Sequence, residues 1–311
     1  MSEQQQFEGE KWTTQTIKIL RELGWTQEGT SNFDIKCSFK TAHGSNEAKE
    51  RKNDHGVDSL FSYFDPFLQQ ELNVLVESKK RVWSGISKST ISSFINQLRT
   101  TIECANVSEK LHELGVNGVD TGLLMVWCNE VEKYDYEKIK EYLSEIEIPS
   151  KTKPITIYVA TNHEILKWTS LIEYKKKLES ESKEFNFFFP SDYYRKFKSM
   201  SIQKNYVNLV QLYSSYIFGK STREVRHSNG SFIQNVNHIF FYAEPTKKEL
   251  EFMYQLVSEF QIEDADELQI HMYGDQSQSR EHIDAFIRER KEIIKRNNSN
   301  LEIKVDYMDE F

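Results

Sequence analysis

The stretch HGVDSLFSYFDPFLQQELNVLVESK, residues 55–79, decides the fold that this sequence predicts. It holds two β-rich segments, residues 57–64 and 72–78, separated by a break at Asp65-Pro66. Two such segments with a turn signal between them are typical of a hairpin of neighbouring strands. The second segment is apolar until its end, which is the pattern of a strand buried on both faces.

Three charged side chains mark the open end of this hairpin. Side chains at positions i and i+2 of a strand lie on one face, so Glu77 and Lys79 are expected to project together, with Asp58 beside Glu77. Charges that end apolar strands are costly if they are only buried. Carboxylates are ligands that Mg²⁺ prefers, so the pattern favours a metal site for phosphate chemistry over a plain salt bridge. Asp34 and Asp65 are alternatives to Asp58.

The segments around the hairpin alternate between strand-like and helix-like patterns. Predicted strands cover residues 33–39, 121–128 and 155–160. Predicted helices cover residues 8–23, 87–105, 134–146 and 164–181. Mixed strands and helices of this kind predict an α/β domain that extends to about residue 180.

The order of these motifs resembles the PD-(D/E)xK restriction-endonuclease-like superfamily, most closely its Mrr-like branch. The resemblance rests on GVD at 56–58, ESK at 77–79 on the next strand, and a following helix that bears Gln97. It covers roughly residues 7–160. It implies an αβββαβ core with a mixed central sheet and metal-dependent hydrolysis of DNA.

The resemblance also implies roles for individual residues. Asp58 and Glu77 would bind Mg²⁺ or Mn²⁺, and Lys79 would be the catalytic lysine. Gln97 matches a helix glutamine that some members carry. Glu10 is the best match to the acidic residue that the first helix often supplies.

Basic residues predict where a phosphate backbone would lie. One group follows the proposed catalytic strand, and another lies in the aromatic-rich segment 185–231, which carries a net charge of +5. Aromatic and basic residues together can stack bases and hold phosphates, but the same composition also fits a core or a protein interface. The candidate contacts are Lys80, Arg81, Lys88, Arg195, Lys196 and Lys198.

The C-terminal part predicts a small β-α-β-α-β unit with parallel strands and a net charge of -8. The expected domains are a nuclease-like domain at 1–180, a basic, aromatic and largely helical connecting segment at 181–235, and an acidic accessory domain at 236–311. The predicted fold class is therefore α/β, with a restriction-endonuclease-like core and a second small domain.

Several other classes of protein are excluded or disfavoured. No apolar stretch approaches the roughly 20 residues that a membrane span needs, and no phosphate-binding loop or nucleophile elbow occurs. Cys37, Cys104 and Cys128 show no paired metal-ligand spacing and are interpreted as small buried residues in a reducing cytoplasm. No HxH or HExxH spacing occurs among the histidines His112, His163, His227, His238, His271 and His282, which argues against a zinc site.

The leading hypothesis is a Mg²⁺-dependent DNA endonuclease. A nuclease core with an acidic accessory domain resembles effectors of bacterial anti-phage defence, which act as homo-oligomers or in complexes with a partner protein. Two alternatives stay open: a catalytically silent nuclease-fold subunit that binds nucleic acid or a partner, and a structural subunit whose partner supplies the chemistry. RNA is an alternative substrate. The chain as a whole has a net charge of -8 and repels phosphates. A nucleic acid is therefore expected to bind only at the locally basic surfaces.

Overall fold

The computed structural model divides the chain into two compact units, residues 1–165 and 166–311. Each unit contains its own β-sheet, and each sheet has parallel and antiparallel neighbours. The α/β class with mixed sheets, predicted from the sequence, is confirmed. The structure describes residues 3–44, 50–148, 154–190, 202–227, 230–274, 276–297 and 300–309.

The first unit is built on a five-stranded sheet. In spatial order its strands are β1 (Thr26–Gln27), β4 (Ser59–Asp65), β5 (Gln70–Arg81), β6 (Thr121–Cys128) and β7 (Thr156–Ala160). The pairs β1–β4 and β4–β5 are antiparallel, whereas β5–β6 and β6–β7 are parallel. Two short strands, β2 (Phe33–Ile35) and β3 (His55–Val57), pair separately as an antiparallel ribbon.

The predicted hairpin is the pair β4–β5. Asp65 closes its turn, because Oδ1 accepts hydrogen bonds from the backbone N–H groups of Phe67 at 2.8 Å and Leu68 at 3.0 Å. β5 pairs with β4 over its first seven residues and with β6 over its last eight. The centre of β5 is therefore hydrogen-bonded on both edges. The side chains of Val74, Leu75 and Val76 are buried on both faces of the sheet, which explains the apolar run there.

The helices of the first unit pack their apolar faces on this sheet. They are α1 (Glu3–Glu22), α2 (Lys88–Ala105), α3 (Glu109–Glu113) and α4 (Tyr136–Ser144), and α5 (Asn162–Glu181) begins at the end of the unit. Ser87 caps α2, since its hydroxyl accepts a hydrogen bond from the N–H of Thr90. Among the described residues, no helix has the length and apolar composition that crossing a membrane would require.

The second unit is built on a six-stranded sheet. In spatial order its strands are β13 (Glu302–Met308), β12 (Glu267–Tyr273), β11 (Gly230–Phe241), β10 (Tyr216–His227), β8 (Glu184–Phe189) and β9 (Ile202–Lys204). The strands β11, β12 and β13 are parallel to their neighbours in that set, and the other pairs are antiparallel. The described helices are the greater part of α5, from residue 166 onward, with α6 (Leu209–Leu212), α7 (Lys247–Glu259) and α8 (Arg280–Arg296).

The segment 181–235 is not largely helical, so that expectation is wrong. Its described part forms β8, β9, β10 and the start of β11, and its helical content there reduces to the end of α5 and the four-residue α6. Dense aromatic residues favour strands, where a pleated surface accommodates them. Phe187 and Phe189 are almost fully buried as part of the sheet. Three predicted nucleic-acid contacts, Arg195, Lys196 and Lys198, lie outside the described residues.

Candidate active site

Asp58 lies between β3 and β4, where the hairpin starts to pair. The antiparallel register sets Ser59 opposite Val76. Asp58, which precedes Ser59, therefore lies beside the residue that follows Val76 on β5. Its Oδ2 accepts a hydrogen bond from the N–H of Ser78 at 2.7 Å, and its carbonyl oxygen accepts one from the N–H of Asn32 at 2.9 Å. These two bonds hold the carboxylate against the edge of β5.

Glu77 lies on β5 and is 3% exposed. Its Oε1 accepts a hydrogen bond from Nζ of Lys79, two residues along the same strand, as the spacing predicts. The same oxygen accepts one from Nε2 of Gln97 on α2 at 3.1 Å. Nζ of Lys79 is also 5.6 Å from the ring centroid of Phe94, one turn earlier on α2. The strand supplies two of the predicted groups, and the helix that crosses it supplies the third.

The two carboxylates have perturbed protonation. Burial and then the charge of Asp58 raise the pKa of Glu77, to about 7 in total, against the opposing effect of Lys79. Burial also raises the pKa of Asp58, while Lys79 and the N–H of Ser78 act in the opposite direction. Two acids that raise each other's proton affinity in a buried place are characteristic of functional sites.

A cleft of about 980 Å³ opens where β4 and β5 stop pairing. Glu10, Asp58, Lys79, Lys80 and Arg81 all line it. The acidic residue expected from the first helix therefore faces the same space as the strand residues. In the described part of the chain, Glu77 and Gln97 do not line the cleft.

Lys88 does not belong to this group. Its Nζ is 2.9 Å from Oε2 of Glu145, in an exposed pair, and within the described residues it does not line the cleft. The guanidinium of Arg81, in contrast, lies 4.9 Å from the ring centroid of Phe94 and borders the cleft. Of the three basic residues predicted beside the catalytic strand, the structure brings Lys80 and Arg81 to the site.

A family model described as the GAPS4 protein PD-(D/E)XK nuclease domain matches residues 1–164. The match covers more than half of the chain and includes each of the side chains described above. The chain belongs to this family of nuclease domains. Membership indicates a nuclease, and the PD-(D/E)XK resemblance found in the sequence is confirmed at the level of the superfamily. No curated protein gives a significant match to the chain.

PD-(D/E)XK nucleases usually use divalent metals, and the donor atoms of this domain fit such an ion. Among the described residues, Oδ1 of Asp58 and Oε2 of Glu77 accept no hydrogen bond. Each carboxylate thus keeps one oxygen available, and the two charges repel each other. A hard divalent cation would relieve this repulsion through oxygen ligands.

The two alternatives to Asp58 occupy different places in the nuclease domain. Asp65 is a turn residue, since its Oδ1 accepts the two backbone N–H groups at the hairpin tip. Asp34 lies on β2 opposite Gly56 and lines the same cleft as Asp58. Asp34 therefore remains close to the site, whereas the turn explains Asp65.

Sequence reasoning missed a cluster in the nuclease domain. Cys37, His43, His55 and Cys104 are all buried, and their potential ligand atoms lie within 4.8 Å of one another. No short spacing in the sequence marks this group, because its members come from a loop, a strand and a distant helix. The interpretation as a small buried residue fits Cys128, which is not in the cluster.

Proposed function

We propose that this protein is a Mg²⁺-dependent endonuclease that hydrolyses phosphodiester bonds of DNA. The observation that carries the proposal is the convergence of Asp58, Glu77 and Lys79 beside a cleft, within a domain of the PD-(D/E)XK family. The chain order of α1, β1, β4, β5, α2 and β6 supports the expected αβββαβ core, with the separate ribbon β2–β3 and the short α3 as additions.

In the proposed mechanism, Asp58 and Glu77 would hold the metal through their available oxygens. Bound Mg²⁺ would lower the pKa of a water molecule and neutralise charge that develops on the phosphate. Lys79 supplies a positive charge next to Glu77 and can donate a hydrogen bond to the attacking water or to a phosphate oxygen. Gln97 positions Glu77 from α2, because its amide fixes Oε1. A water molecule attacks phosphorus in line with the leaving oxygen.

The cleft supports a nucleic-acid substrate through its basic wall. Lys80 and Arg81 follow the catalytic strand and can contact phosphates on either side of the cleaved bond. We place the enzyme near the Mrr-like branch and propose that it acts in defence against phage or foreign DNA. In that role it would act as a homo-oligomer or with a partner protein, and this part of the proposal is supported by the resemblance of the two-part chain.

A cleavage assay tests the proposed function. Wild-type protein is incubated with plasmid DNA, linear DNA and RNA, with Mg²⁺ or Mn²⁺, beside Asp58→Ala, Glu77→Ala and Lys79→Ala. Each of the three variants is expected to lose activity by about 100-fold or more. Lys140→Ala is the matched control for Lys79→Ala, because it also removes a lysine charge, but from an exposed ion pair on α4. Equal cutting by wild type and the three variants would contradict the assignment of the site.

Calorimetric titration with Mg²⁺ separates this proposal from a catalytically silent subunit. A nuclease should bind Mg²⁺ and cleave, and Asp58→Ala should reduce both. Loss of Mg²⁺ binding in Asp58→Ala together with cleavage by wild type supports the enzyme. Absence of Mg²⁺ binding by wild type, with nucleic-acid binding retained and no cleavage of either substrate, supports the silent subunit.

A further inference from the structure

A second cluster of polar side chains lies beside the proposed catalytic site. His55 stands three residues before Asp58, and it meets Cys37, His43 and Cys104. Nδ1 of His43 is 3.5 Å from Sγ of Cys37 and 3.5 Å from Sγ of Cys104. The same nitrogen is 3.3 Å from Nε2 of His55. Four potential ligand atoms from different parts of the chain thus enclose one small space.

Hydrogen bonds between neutral imidazoles and thiols do not account for all of these contacts, because both rings use their outer nitrogen elsewhere. Nε2 of His43 is 2.8 Å from the carboxylate of Glu103, and Nδ1 of His55 is 3.3 Å from the hydroxyl of Thr101. A carboxylate only accepts hydrogen bonds, and the hydroxyl of Thr101 already donates to the carbonyl of Gln97. The ring protons therefore belong on the outer nitrogens.

Both inner nitrogens consequently direct a lone pair into the cluster. Two lone pairs that face each other at 3.3 Å repel unless a cation lies between them. One nitrogen of His43 also has three close neighbours, which is more than a single hydrogen bond can satisfy. A cation at the centre would contact all four atoms and satisfy each of them.

The distances fit a tetrahedral zinc ion. With Zn–S of about 2.3 Å and Zn–N of about 2.0 Å, a tetrahedron has S···N edges of about 3.5 Å and an N···N edge of about 3.3 Å. The observed edges at His43 are 3.5, 3.5 and 3.3 Å. We propose that Cys37, His43, His55 and Cys104 bind one zinc ion as a structural Cys₂His₂ site.

The surroundings suit zinc in charge and in hydrogen bonding. Two thiolates and two neutral imidazoles balance the charge of Zn²⁺, so the buried site carries no net charge. The N–H of Ser38 is directed at Sγ of Cys104 at 3.4 Å. Glu103 orients His43 in the way that carboxylates orient zinc-bound histidines, and Arg99 holds Glu103 at 3.0 Å. All four positions are filled by protein atoms, which is typical of a structural site and not of a catalytic one.

The proposed ion would connect the parts of the chain that hold the catalytic residues. The loop with Cys37 and His43, the strand with His55 and the helix with Cys104 would be bound to one centre. On α2, Gln97, Thr101 and Cys104 follow each other at helical spacing on one face. That face therefore contacts Glu77 at one end and the zinc cluster at the other.

Metal analysis of the full chain tests the proposal directly. Protein is prepared without chelators, exchanged into metal-free buffer, and measured by mass spectrometry of its elements. About one zinc per chain is expected, together with an X-ray absorption spectrum of two sulfur and two nitrogen ligands. Replacement of zinc by Co²⁺ should give the thiolate charge-transfer and tetrahedral visible bands. Absence of bound zinc, even after incubation with excess Zn²⁺, overturns the proposal.

Variants locate the ion. Cys37→Ser and Cys104→Ser should lose zinc, whereas Cys128→Ser, which changes the third buried cysteine, should retain it. Glu103→Gln should retain the fold and bind zinc about 10–100-fold more weakly. Glu77→Gln should keep its zinc, which separates this site from the proposed Mg²⁺ site. Zinc retained in both Cys37→Ser and Cys104→Ser, or a Cys37–Cys104 disulfide in wild type, overturns the assignment.

Discussion

Glu77 shows at the scale of one residue how a proposed metal ligand conflicts with stability. Its carboxylate is almost fully buried, and burial raises its pKa to about 7 from an ordinary value of 4.5. The folded protein therefore binds this proton more tightly than the unfolded chain does. The stability that protonated Glu77 contributes to the fold is fully present below about pH 4.5. It is lost as the pH rises through about 7. A group that destabilises the metal-free fold near neutral pH is most simply explained by a ligand that it binds.

Glu77→Gln should therefore stabilise the metal-free protein at high pH. At about pH 8 we expect a gain of roughly 1–3 kcal/mol in the free energy of unfolding, because the amide carries no charge to bury. At about pH 5 the gain should be close to zero, since Glu77 is then protonated. Urea denaturation at both pH values measures the difference. Added Mg²⁺ should stabilise wild type and not the variant, and a gain independent of pH would contradict the explanation.

A buried histidine of the second unit shows the opposite dependence of stability on pH. His238 on β11 accepts or donates a hydrogen bond with Ser221 at 2.7 Å and with His271 on β12 at 2.9 Å. Burial and then the charge of Arg223 lower the pKa of His238, to about 3 in total, against the opposing effect of Glu267. Because the pKa in the folded state is depressed, the stability that this residue provides is present above about pH 6.5 and is lost as the pH falls.

His238→Gln should reduce the sensitivity of the second unit to acid. Between about pH 7 and pH 5, wild type should lose roughly 2 kcal/mol through this residue, and the variant should lose correspondingly less. Glutamine can still bond to Ser221 and His271, so the network is kept. The urea midpoint as a function of pH measures the effect. His282→Gln, on α8, is the control, and equal slopes for wild type and His238→Gln would refute this explanation.

The contact between α2 and β6 determines the site at the scale of elements. Gly122 on β6 leaves room for the helix, because a Cβ there would lie 2.8 Å from Cδ2 of Leu98 and 2.9 Å from Cδ1 of Ile102. Both neighbours are almost fully buried. The close approach allows α2 to reach β5, where Gln97 meets Glu77.

Gly122→Ala should destabilise the protein by about 1–3 kcal/mol, because the added methyl group overpacks the interface of helix and sheet. It should also lower cleavage by displacing Gln97, while the carboxylates of Asp58 and Glu77 keep their positions. Gly9→Ala is the control for stability, since a Cβ at Gly9 meets no atom within 4 Å. Thermal and urea unfolding measure the stability of both variants, and the cleavage assay measures their activity. An unchanged midpoint in Gly122→Ala would show that the helix can move aside without cost.

Elements that depend on local pattern were predicted well, and those that depend on distant contacts were not. The apolar run of β5 and the spacing of Glu77 and Lys79 follow from the period of a strand, and the structure has them as expected. The strands β8 and β10 were mistaken for a helical region, because their aromatic residues show no clear alternation. The cluster of Cys37 and Cys104 joins residues that only tertiary packing brings together.

At the scale of the molecule, the boundary between the two units groups the charges differently from the domains expected from the sequence. The first unit has 19 Lys and Arg against 25 Asp and Glu, a net charge of -6, and the second has 21 against 23, a net charge of -2. The acidity therefore belongs mainly to the unit that carries the proposed active site. Under the proposed function, attraction to DNA would come from the local basic wall of the cleft and from bound cations, because the unit as a whole repels phosphates.

Binding of DNA should consequently depend on a small number of contacts. In the inactive Glu77→Gln background, adding Lys80→Ala should weaken binding for all sequences alike and reduce the slope of log K against log salt by about 1. Adding Lys88→Ala should change little, because its ammonium bonds to Glu145 and not to the cleft. Fluorescence anisotropy with labelled DNA over a range of salt measures both. An equal effect of the two changes would contradict the basic wall at Lys80.

The short connection between β4 and β5 has a consequence for how the chain acquires its site. The hairpin turns within residues 66–69, so Asp58 and Glu77 are brought together by contacts between residues close in sequence. Such contacts lose little entropy on loop closure and form early in folding. β6 joins β5 only after the much longer chain between Arg81 and Thr121 has closed. We therefore expect the carboxylate pair to be assembled before β6 completes the sheet around it.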